Sequence, residues 1–250
     1  MGNFVHLHTH TEYSLLDGAG RITDLLEHCK EYGMDSLAIT DHGAMYGVVE
    51  FYKQAKSLGI HPVIGCEVYI APRSMKDKEA HADGNNYAHL VLLAENQQGY
   101  KNLTKLVSMG FLEGFYYKPR IDYELLSRYH EGLIGLSGCL AGDIPKLLLD
   151  EQYDKAKSLA LKLKSIFGDG NFYLELQNHG LEEQITVNER IIQLSRETNI
   201  PLVATNDVHY VRREDAKAHD VLLCIQTGKT IEDQDRMRFE TDEFYLKSPE

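Results

Sequence analysis

The chain has 250 residues, a length that one α/β barrel commonly reaches, and its 26 Lys and Arg against 38 Asp and Glu give a formal net charge of −12 at pH 7. That sign excludes a broad nucleic-acid-binding surface, so any contact with DNA must be local or supplied by another part of an assembly. The four cysteines include no Cys-x-x-Cys pair, which favours a reduced compartment. We see no leader sequence and no apolar run near the roughly 20 residues of a membrane span. We therefore expect a cytoplasmic protein without membrane contact.

Residues 4–18 open the chain with a predicted β-strand in which three histidines alternate. Side chains two residues apart in a strand share a face, so His6, His8 and His10 are expected on the same side. A core strand normally fills that side with Val or Ile, and a row of imidazoles there indicates a metal ion. One His-x-His motif is a weak signal, because a single buried histidine is more often a core residue, and the interpretation depends on further candidate ligands.

The next segments alternate between helix and strand, with apolar residues at helical spacing and glycines at the helix ends. His42 and Glu67 directly follow two of the predicted strands, and His89 lies near the start of a third. In order, the pattern predicts a helix over residues 22–33, a strand over 36–40, a helix over 49–58, a strand over 61–66, an exposed polar loop over 73–86 and a strand over 87–94.

The second half of the chain repeats this alternation. Cys139 ends one predicted strand, and Asp207 and His209 end another. Residues 227–250 show no clear period, so we predict a barrel domain over residues 1–225 and a C-terminal tail over 226–250. In order, the pattern predicts a helix over residues 100–110, an aromatic and basic loop over 114–120, a strand over 132–139, a helix over 153–167, a strand over 171–179, a helix over 183–198, a strand over 200–209 and a helix over 214–226.

Strand followed by helix, repeated at least five times, predicts a parallel barrel that is closed or nearly closed. In such barrels the chemistry lies at the C-terminal ends of the strands, where the polar residues noted above are found. A mixture of imidazole, carboxylate and thiolate suits Zn, Mn or Fe, and nine ligands exceed the need of one ion, so we predict two to three divalent transition metals. The predicted ligands are His8, His10, Asp17, His42, Glu67, His89, Cys139, Asp207 and His209.

Five short motifs contain most of these ligands. They are His8-Thr9-His10 with Ser14 and Asp17-Gly18, Ile39-Thr40-Asp41-His42-Gly43, Gly65-Cys66-Glu67, Ser137-Gly138-Cys139 and Asn206-Asp207-Val208-His209. Together they resemble the polymerase and histidinol phosphatase (PHP) superfamily. Residues 4–8, 115–120 and 174–179 are similar to the N-terminal PHP domain of bacterial DNA polymerase III alpha subunits. The resemblance covers nearly the whole chain and implies a distorted (β/α)7 barrel of the TIM type with a trinuclear metal site at the C-terminal ends of the strands.

The resemblance also implies a function, phosphoester hydrolysis, which in some alpha subunits is a proofreading 3′–5′ exonuclease. A metal-activated hydroxide would then attack the phosphodiester at a DNA 3′ end, with Asp207, His10 and His209 as the catalytic residues that act through the metals. The remainder of the alpha subunit and other replicase components are the expected partners. Nothing in the chain resembles the palm aspartates of the polymerase, so we expect an excised domain without the polymerase site.

Weaker patterns suggest supporting roles for several other residues. Lys118 and Arg120 in the aromatic loop could hold a nucleic-acid phosphate, although a loop with two cations is usually only a solvated surface. Three residues are expected behind the ligands, namely His6, Asp41 and Asn206. Residues Glu175, Gln177 and His179 match no ligand position, and no role is assigned to His28, His61, His81, His130 and His219.

Two alternative functions stay open at this point. The chain could be a stand-alone phosphomonoesterase of the histidinol phosphatase type, which a narrow pocket without a strand-wide groove would favour. It could also be a non-catalytic, metal-stabilised docking domain of the polymerase, although the complete ligand set argues against that. Amidohydrolases also begin with His-x-His on a barrel, but no lysine ends a predicted strand here to bridge two metals.

Overall fold

The computed structural model describes residues 4–79 and 86–250, which form a curved seven-stranded sheet with helices on its outer face. The strands are β1 (Ser36–Ile39), β2 (His61–Ile70), β3 (Ala88–Ala94), β4 (Arg120–Ile121), β5 (Leu133–Leu136), β6 (Phe172–Leu176) and β7 (Leu202–Ala204). The helices are α1 (Ile22–Glu31), α2 (Val48–Leu58), α3 (Gln97–Leu112), α4 (Tyr123–Arg128), α5 (Asp143–Leu149), α6 (Tyr153–Phe167), α7 (Glu182–Thr198) and α8 (Ala216–Thr227).

None of the helices in the described ranges combines the length and apolar composition needed to cross a membrane.

Strand β3 runs against its neighbours, which corrects the prediction of an all-parallel barrel. The sheet order is β1-β2-β3-β5-β6-β7, with β4 beside β2, and β3 pairs antiparallel with both β2 and β5 while the other pairs are parallel. Because β3 is reversed, its first residues lie at the same end of the sheet as the last residues of the parallel strands. His89 therefore pairs with Tyr69 near the end of β2.

The two faces of β3 show how the barrel interior is filled. Leu90 and Leu92 belong to the apolar cluster beneath the helices, whereas Val91 and Leu93 pack with Ala38 and Leu136 in a smaller cluster. Alternation along the strand puts His89 on the same face as Val91 and Leu93. Apolar side chains thus occupy this inner face along most of the strand, and an imidazole occupies it at the end of the sheet where the candidate ligands lie.

Residues 4–10 occupy the gap between the two edges of the sheet. The His10 amide donates to the Val208 carbonyl at 2.7 Å on one side, and the Ala38 amide donates to the His6 carbonyl at 3.0 Å on the other. The predicted opening strand is therefore hydrogen-bonded on both sides, although it makes only an isolated bridge, between Thr9 and Val208. This segment links β1 to the residues that follow β7.

The end of the chain packs against the same region, although its sequence has no clear period. Leu246 is fully buried, and its amide donates to the Tyr210 and Val211 carbonyls at 3.2 Å. The His209 amide donates to the Phe244 carbonyl at 2.8 Å. This C-terminal segment, residues 243–247, thus supports the backbone beside two candidate ligands, while the domain boundary placed at residue 225 stays a prediction.

Candidate metal centre

The predicted ligands meet at one end of the barrel, around the carboxylate of Glu67. Glu67 is fully buried, and its Oε1 lies 3.3 Å from His8 Nε2 and 3.0 Å from His89 Nδ1. Its Oε2 lies 2.7 Å from His42 Nδ1. Cys139 Sγ is 3.8 Å from Glu67 Oε1. Glu67 lies within β2, three residues before its end and not just after a strand as predicted, and it contacts side chains from four other parts of the chain.

Two further carboxylates complete the cluster. Asp207 Oδ1 lies 3.2 Å from Nε2 of both His8 and His10, and Asp17 Oδ2 lies 2.9 Å from His42 Nε2. His209 Nε2 is 3.9 Å from Asp17 Oδ2. The structure therefore links all nine predicted ligands through contacts between their side chains. Three groups have ligand atoms within 4.8 Å of one another, namely His8, His10 and Asp207; His10, His42 and His209; and His42, Glu67 and His89.

Hydrogen bonds behind the cluster fix the tautomers of three imidazoles. His8 Nδ1 lies 2.7 Å from Glu175 Oε1, and His209 Nδ1 lies 2.8 Å from the Asp207 carbonyl. His10 Nδ1 lies 2.9 Å from the Ser14 hydroxyl. Each Nδ1–H donates to an oxygen, so in the neutral ring each Nε2 presents its lone pair to the cluster. This is the arrangement that a neutral histidine ligand needs.

Several buried atoms of the cluster that could bind a metal ion have no well-aligned hydrogen-bond partner. Such atoms are rare in folded proteins because leaving a buried polar group unpaired costs about 1–3 kcal/mol. In the cluster they are His8 Nε2, His10 Nε2, Asp17 Oδ1, His42 Nδ1, Glu67 Oε2 and Asp207 Oδ1. Convergent lone pairs of imidazole and carboxylate fit divalent transition metals such as Zn, Mn or Fe, with Cys139 as an additional soft ligand.

Burial and like charges keep two of the imidazoles neutral. Burial, with the neighbouring His42 and His209, lowers the pKa of His10 to about 3. Burial also lowers the pKa of His209. Both side chains are therefore unprotonated at neutral pH, which is the form that binds metal.

Carboxylates have the opposite effect on two other imidazoles. Burial alone would lower the pKa of His42, but Glu67 and Asp17 raise it to about 10. Burial also favours a lower pKa at His8, but the surrounding carboxylates have the larger effect and raise its pKa well above the usual value. Without metal, protons on these two rings neutralise the buried carboxylates, and a metal ion must displace them.

The backbone at Asp207 is held in an unusual conformation. Its φ is +45°, in the left-handed region that residues other than glycine seldom adopt, although Asp tolerates it better than most. Strain of this kind costs of order 1–3 kcal/mol and tends to occur at functional sites. The surrounding hydrogen bonds, from the His10 amide to the Val208 carbonyl and from the Val208 amide to the His8 carbonyl, hold the segment in place.

The residues predicted behind the ligands have separate outcomes. Asp41 accepts hydrogen bonds from the Thr11 amide and the Ser14 hydroxyl, both at 2.7 Å, and so orients the hydroxyl that holds His10. Asn206 does not orient the imidazole of a candidate ligand. Its side-chain amide donates instead to two carbonyls of the C-terminal segment, at 2.8 and 2.9 Å. His6 is buried with its Nε2 2.9 Å from the Lys247 carbonyl, a contact with that same segment.

The two predicted phosphate-binding cations have different environments. Arg120 is 1% exposed, and its guanidinium donates to the carbonyls of Gly114, Met75, Asp77 and Asn86. A guanidinium committed to backbone carbonyls in the interior cannot bind substrate, so the prediction for Arg120 is wrong. Lys118 is half-buried and lines a cavity of about 230 Å³ that also reaches Asp17 and His42.

Glu175 is a functional residue that the sequence analysis left without a role. It lies on β6, is 2% exposed, and accepts hydrogen bonds from His8 Nδ1, the Gly138 amide at 3.0 Å and the Thr205 hydroxyl. Gln177 Nε2 donates to the same carboxylate at 2.9 Å. The signal available in the sequence was a Glu inside an otherwise apolar predicted strand that leads to the metal rim.

His219 was also set aside, yet it lies beside the cluster. It is 1% exposed on α8, with Nε2 3.7 Å from Asp17 Oδ1, and it lines a second cavity, of about 1260 Å³, between α8 and the C-terminal segment. The His179 ring lies away from the ligands: its Nε2–H donates to the Asn206 carbonyl, and its Nδ1 accepts a hydrogen bond from Gln184 Nε2. Of the other histidines, His28 contacts Glu31, His61 is exposed, His130 bonds the Ser127 carbonyl, and His81 lies outside the described residues.

Comparisons with known proteins agree with this geometry. A family model described as the PHP domain matches residues 6–179. DNA polymerase III subunit alpha of Borreliella burgdorferi is 51% identical over 247 residues, and that of Thermus aquaticus is 50% identical over 250 residues. Each alignment covers 99% of this chain but only 21% and 20% of the relative, so the chain spans about a fifth of the curated relatives it matches.

Solved structures support the fold. A proposed metal-dependent phosphoesterase from Bifidobacterium adolescentis matches with a TM-score of 0.52 at 15% identity, covering 84% of this chain and 88% of that one. An amidohydrolase from Chromobacterium violaceum matches with a TM-score of 0.50 at 15% identity, covering 82% and 87%. The predicted distorted TIM-type barrel is confirmed. With its family model and its polymerase relatives in agreement, the chain belongs to the PHP domain family.

Proposed function

We propose that the chain is a metal-dependent phosphodiesterase that removes nucleotides from DNA 3′ ends, as the proofreading exonuclease domain of a cytoplasmic replicative polymerase. The observation that carries the proposal is the convergence of buried, unpaired imidazole and carboxylate atoms at the barrel rim. The relatedness to polymerase III alpha subunits supports the DNA substrate, with the remainder of that subunit and other replicase components as partners.

We assign one carboxylate of the cluster to each of three ions, together with the imidazole or thiolate side chains near that carboxylate. His8, His10 and Asp207 would hold one, and Asp17, His42 and His209 another. The third would lie against Glu67, His89 and Cys139. When bound, such ions would activate a water molecule as the nucleophile and neutralise charge on the phosphate during an in-line displacement.

The protein residues have defined tasks in this proposal. Asp207, His10 and His209 act through the metals, whereas Glu175 and the Asp41–Ser14 pair keep the imidazoles in the ligand tautomer. Burial beside Glu67 raises the pKa of the Cys139 thiol, so this residue binds metal only after losing a proton. Lys118 at the cavity wall would contact the phosphate of the substrate.

The cavity beside the ligands also favours a second candidate. Its volume of about 230 Å³ is below the roughly 300–1,000 Å³ of a drug-sized ligand pocket, so it fits a small phosphomonoester or one terminal nucleotide rather than a duplex. A phosphomonoesterase of the histidinol phosphatase type would hydrolyse p-nitrophenyl phosphate faster than any oligonucleotide. Substrate preference therefore separates the two candidates.

The decisive test compares wild type with Asp207→Asn and His10→Ala on a single-stranded oligonucleotide supplied with Zn²⁺ or Mn²⁺. We expect release of nucleotides from the 3′ end, a loss of rate by orders of magnitude in both variants, and resistance of a 3′-blocked oligonucleotide. Asp169→Asn, a change of the same type at an exposed position, is the control. Equal release by wild type and Asp207→Asn, or no release with any metal, would instead favour a metal-stabilised docking domain.

A further inference from the structure

The cavity beside the metal centre has an aromatic wall that the ligand chemistry does not use. The lining of this cavity, the aromatic cleft, includes the candidate ligands Asp17 and His42. It also includes four aromatic rings, Tyr46, Phe111, Phe115 and Tyr117. Candidate metal ligands and aromatic surface thus share one cavity.

The rings are exposed, although large apolar side chains are normally buried. Tyr46 is 57% exposed, Phe115 is 48% exposed and Tyr117 is 70% exposed. Phe111 stands between its neighbours, with ring centroids 6.2 Å from Tyr46 and 6.4 Å from Phe115. Contiguous exposed apolar surface of this kind marks a binding site.

A tight turn presents Tyr117 to solvent. The Tyr116 amide donates to the Lys118 carbonyl at 3.1 Å, and Tyr117 at the tip has a φ of +60°. A left-handed backbone is costly for a bulky residue, and such conformations occur mainly where function requires them. The aromatic ring is therefore held outward by a strained backbone, where it contacts the Tyr116 ring at a centroid distance of 4.6 Å.

A cation lies in the same cleft, close to one of the metal ligands. Lys118 Nζ stands 5.4 Å from the centre of the Tyr69 ring, and that ring stacks on His42 at 6.0 Å with an interplanar angle of 17°. Lys118 has no salt-bridge partner among the described residues. Its charge is thus available to an anionic ligand placed between the rings and the ligand cluster.

We propose that the aromatic cleft is a stacking platform for the last bases of a single-stranded nucleic acid, with Lys118 on the adjoining phosphate. Every base has an apolar face that stacks on aromatic rings, while the backbone that joins the bases is anionic. Rings, cation and candidate metal ligands line the same cleft, and they suit a base, a phosphate and a scissile bond respectively. An apolar protein segment would match the rings but not the cation or the polar rim. This inference rests on the proposed function and names its substrate subsite.

Fluorescence tests the platform without catalysis. The chain has no Trp, so Phe115→Trp creates a single reporter in the cleft. Tyr52→Trp is the matched control, because Tyr52 is 49% exposed and lies outside the cleft. We expect a thymidine pentanucleotide to quench the indole emission of the Phe115→Trp protein in EDTA or just after Mn²⁺ is added, and to leave the control unchanged. Absence of quenching under both conditions, equal quenching of both reporters, or equal quenching by a pentanucleotide with an abasic 3′ end would overturn the inference.

Kinetics then connects the platform to turnover. Phe115→Leu and Tyr117→Leu keep apolar bulk but remove the ring, and we expect each to raise KM for the oligonucleotide about tenfold, equivalent to ~1.4 kcal/mol, with a smaller change in kcat. Phe115→Tyr should retain the wild-type KM. Quenching without any hydrolysis would contradict the proposed exonuclease but not the platform, whereas hydrolysis with an unchanged KM in both Leu variants would contradict the platform alone.

Discussion

The neighbouring cations Lys118 and Arg120 differ in role because they differ in burial. Lys118 faces the aromatic cleft, whereas Arg120 holds four backbone carbonyls in the interior. Sequence alone could not separate them, since both are long cations that adjoin Pro119 in the same short stretch. The deciding quantity is the exposed fraction of each side chain, which depends on tertiary packing.

This difference gives a stability prediction. Arg120→Met leaves several buried carbonyls without donors, and each lost partner costs about 1–3 kcal/mol, so we expect the free energy of unfolding to fall by at least that amount. Lys118→Met makes the same chemical change at the cleft and should alter stability by less than about 0.5 kcal/mol. Urea denaturation of both variants is the measurement, and equal losses would contradict the assigned roles.

Glu175 supports the site from behind a ligand, and its effect should appear in metal affinity. Glu175→Gln keeps the shape of the side chain but removes the charge that accepts the His8 Nδ1–H bond. Changes to such supporting carboxylates typically weaken metal binding about 10- to 100-fold. Competition with a chromophoric chelator measures the affinity, and the exposed Glu124→Gln is the control. Affinity within twofold of wild type would show that His8 does not need this partner.

At the scale of elements, the sequence predicts the positions of most strands but neither their direction nor the short β4, whose Arg120 falls in a predicted loop. Residues 87–94 were assigned correctly as a strand, yet nothing local shows that β3 runs antiparallel, because direction depends on how the connecting chain returns. His89 reaches the metal rim for that reason, from the start of its strand rather than the end. His219 was missed because α8 approaches Asp17 only through tertiary packing. The motifs of the other candidate ligands are local, so their convergence could be expected from strand ends alone.

One turn between elements controls both the ligand His42 and the aromatic cleft. Gly43 has a φ of +59°, and a Cβ there would lie 2.7 Å from Tyr69 Cε2 and 2.9 Å from Pro119 Cγ. We expect Gly43→Ala to displace the Tyr69 ring and His42, lowering bound metal and the melting temperature. Gly59→Ala has a similar φ of +76° with no atom within 4 Å, so it reports backbone strain alone. Elemental analysis and thermal melts compare the two, and equal effects would contradict a steric role for Gly43.

At the scale of the whole molecule, an acidic chain concentrates three carboxylates in one buried cluster. The net charge of −12 repels DNA, so the isolated domain should bind its substrate weakly and cleave slowly without the rest of a polymerase. Asp17, Glu67 and Asp207 must be neutralised for the barrel to be stable, either by metal ions or by protons on His8 and His42. Folding, metal binding and pH are therefore linked.

This linkage predicts that metal stabilises the protein more at high pH than at low pH. Because His42 has a folded pKa of about 10 against an unfolded value of 6.5, its protonated contacts stabilise the metal-free protein fully below pH 6.5 and are lost as pH rises towards 10. Between pH 6.5 and 8.5 the metal-free protein should lose on the order of 2 kcal/mol, or about 5 °C in melting temperature. The metal-loaded protein, whose carboxylates are neutralised by ions, should change much less. Thermal melts of metal-free and Zn²⁺- or Mn²⁺-loaded protein at both pH values measure the difference. His42→Gln should reduce its pH dependence, and the part that remains is the contribution of His8, whose pKa is also raised. A metal-induced increase in melting temperature that is equal at both pH values, or absent at both, would show that protons and metal ions do not compete for this cluster.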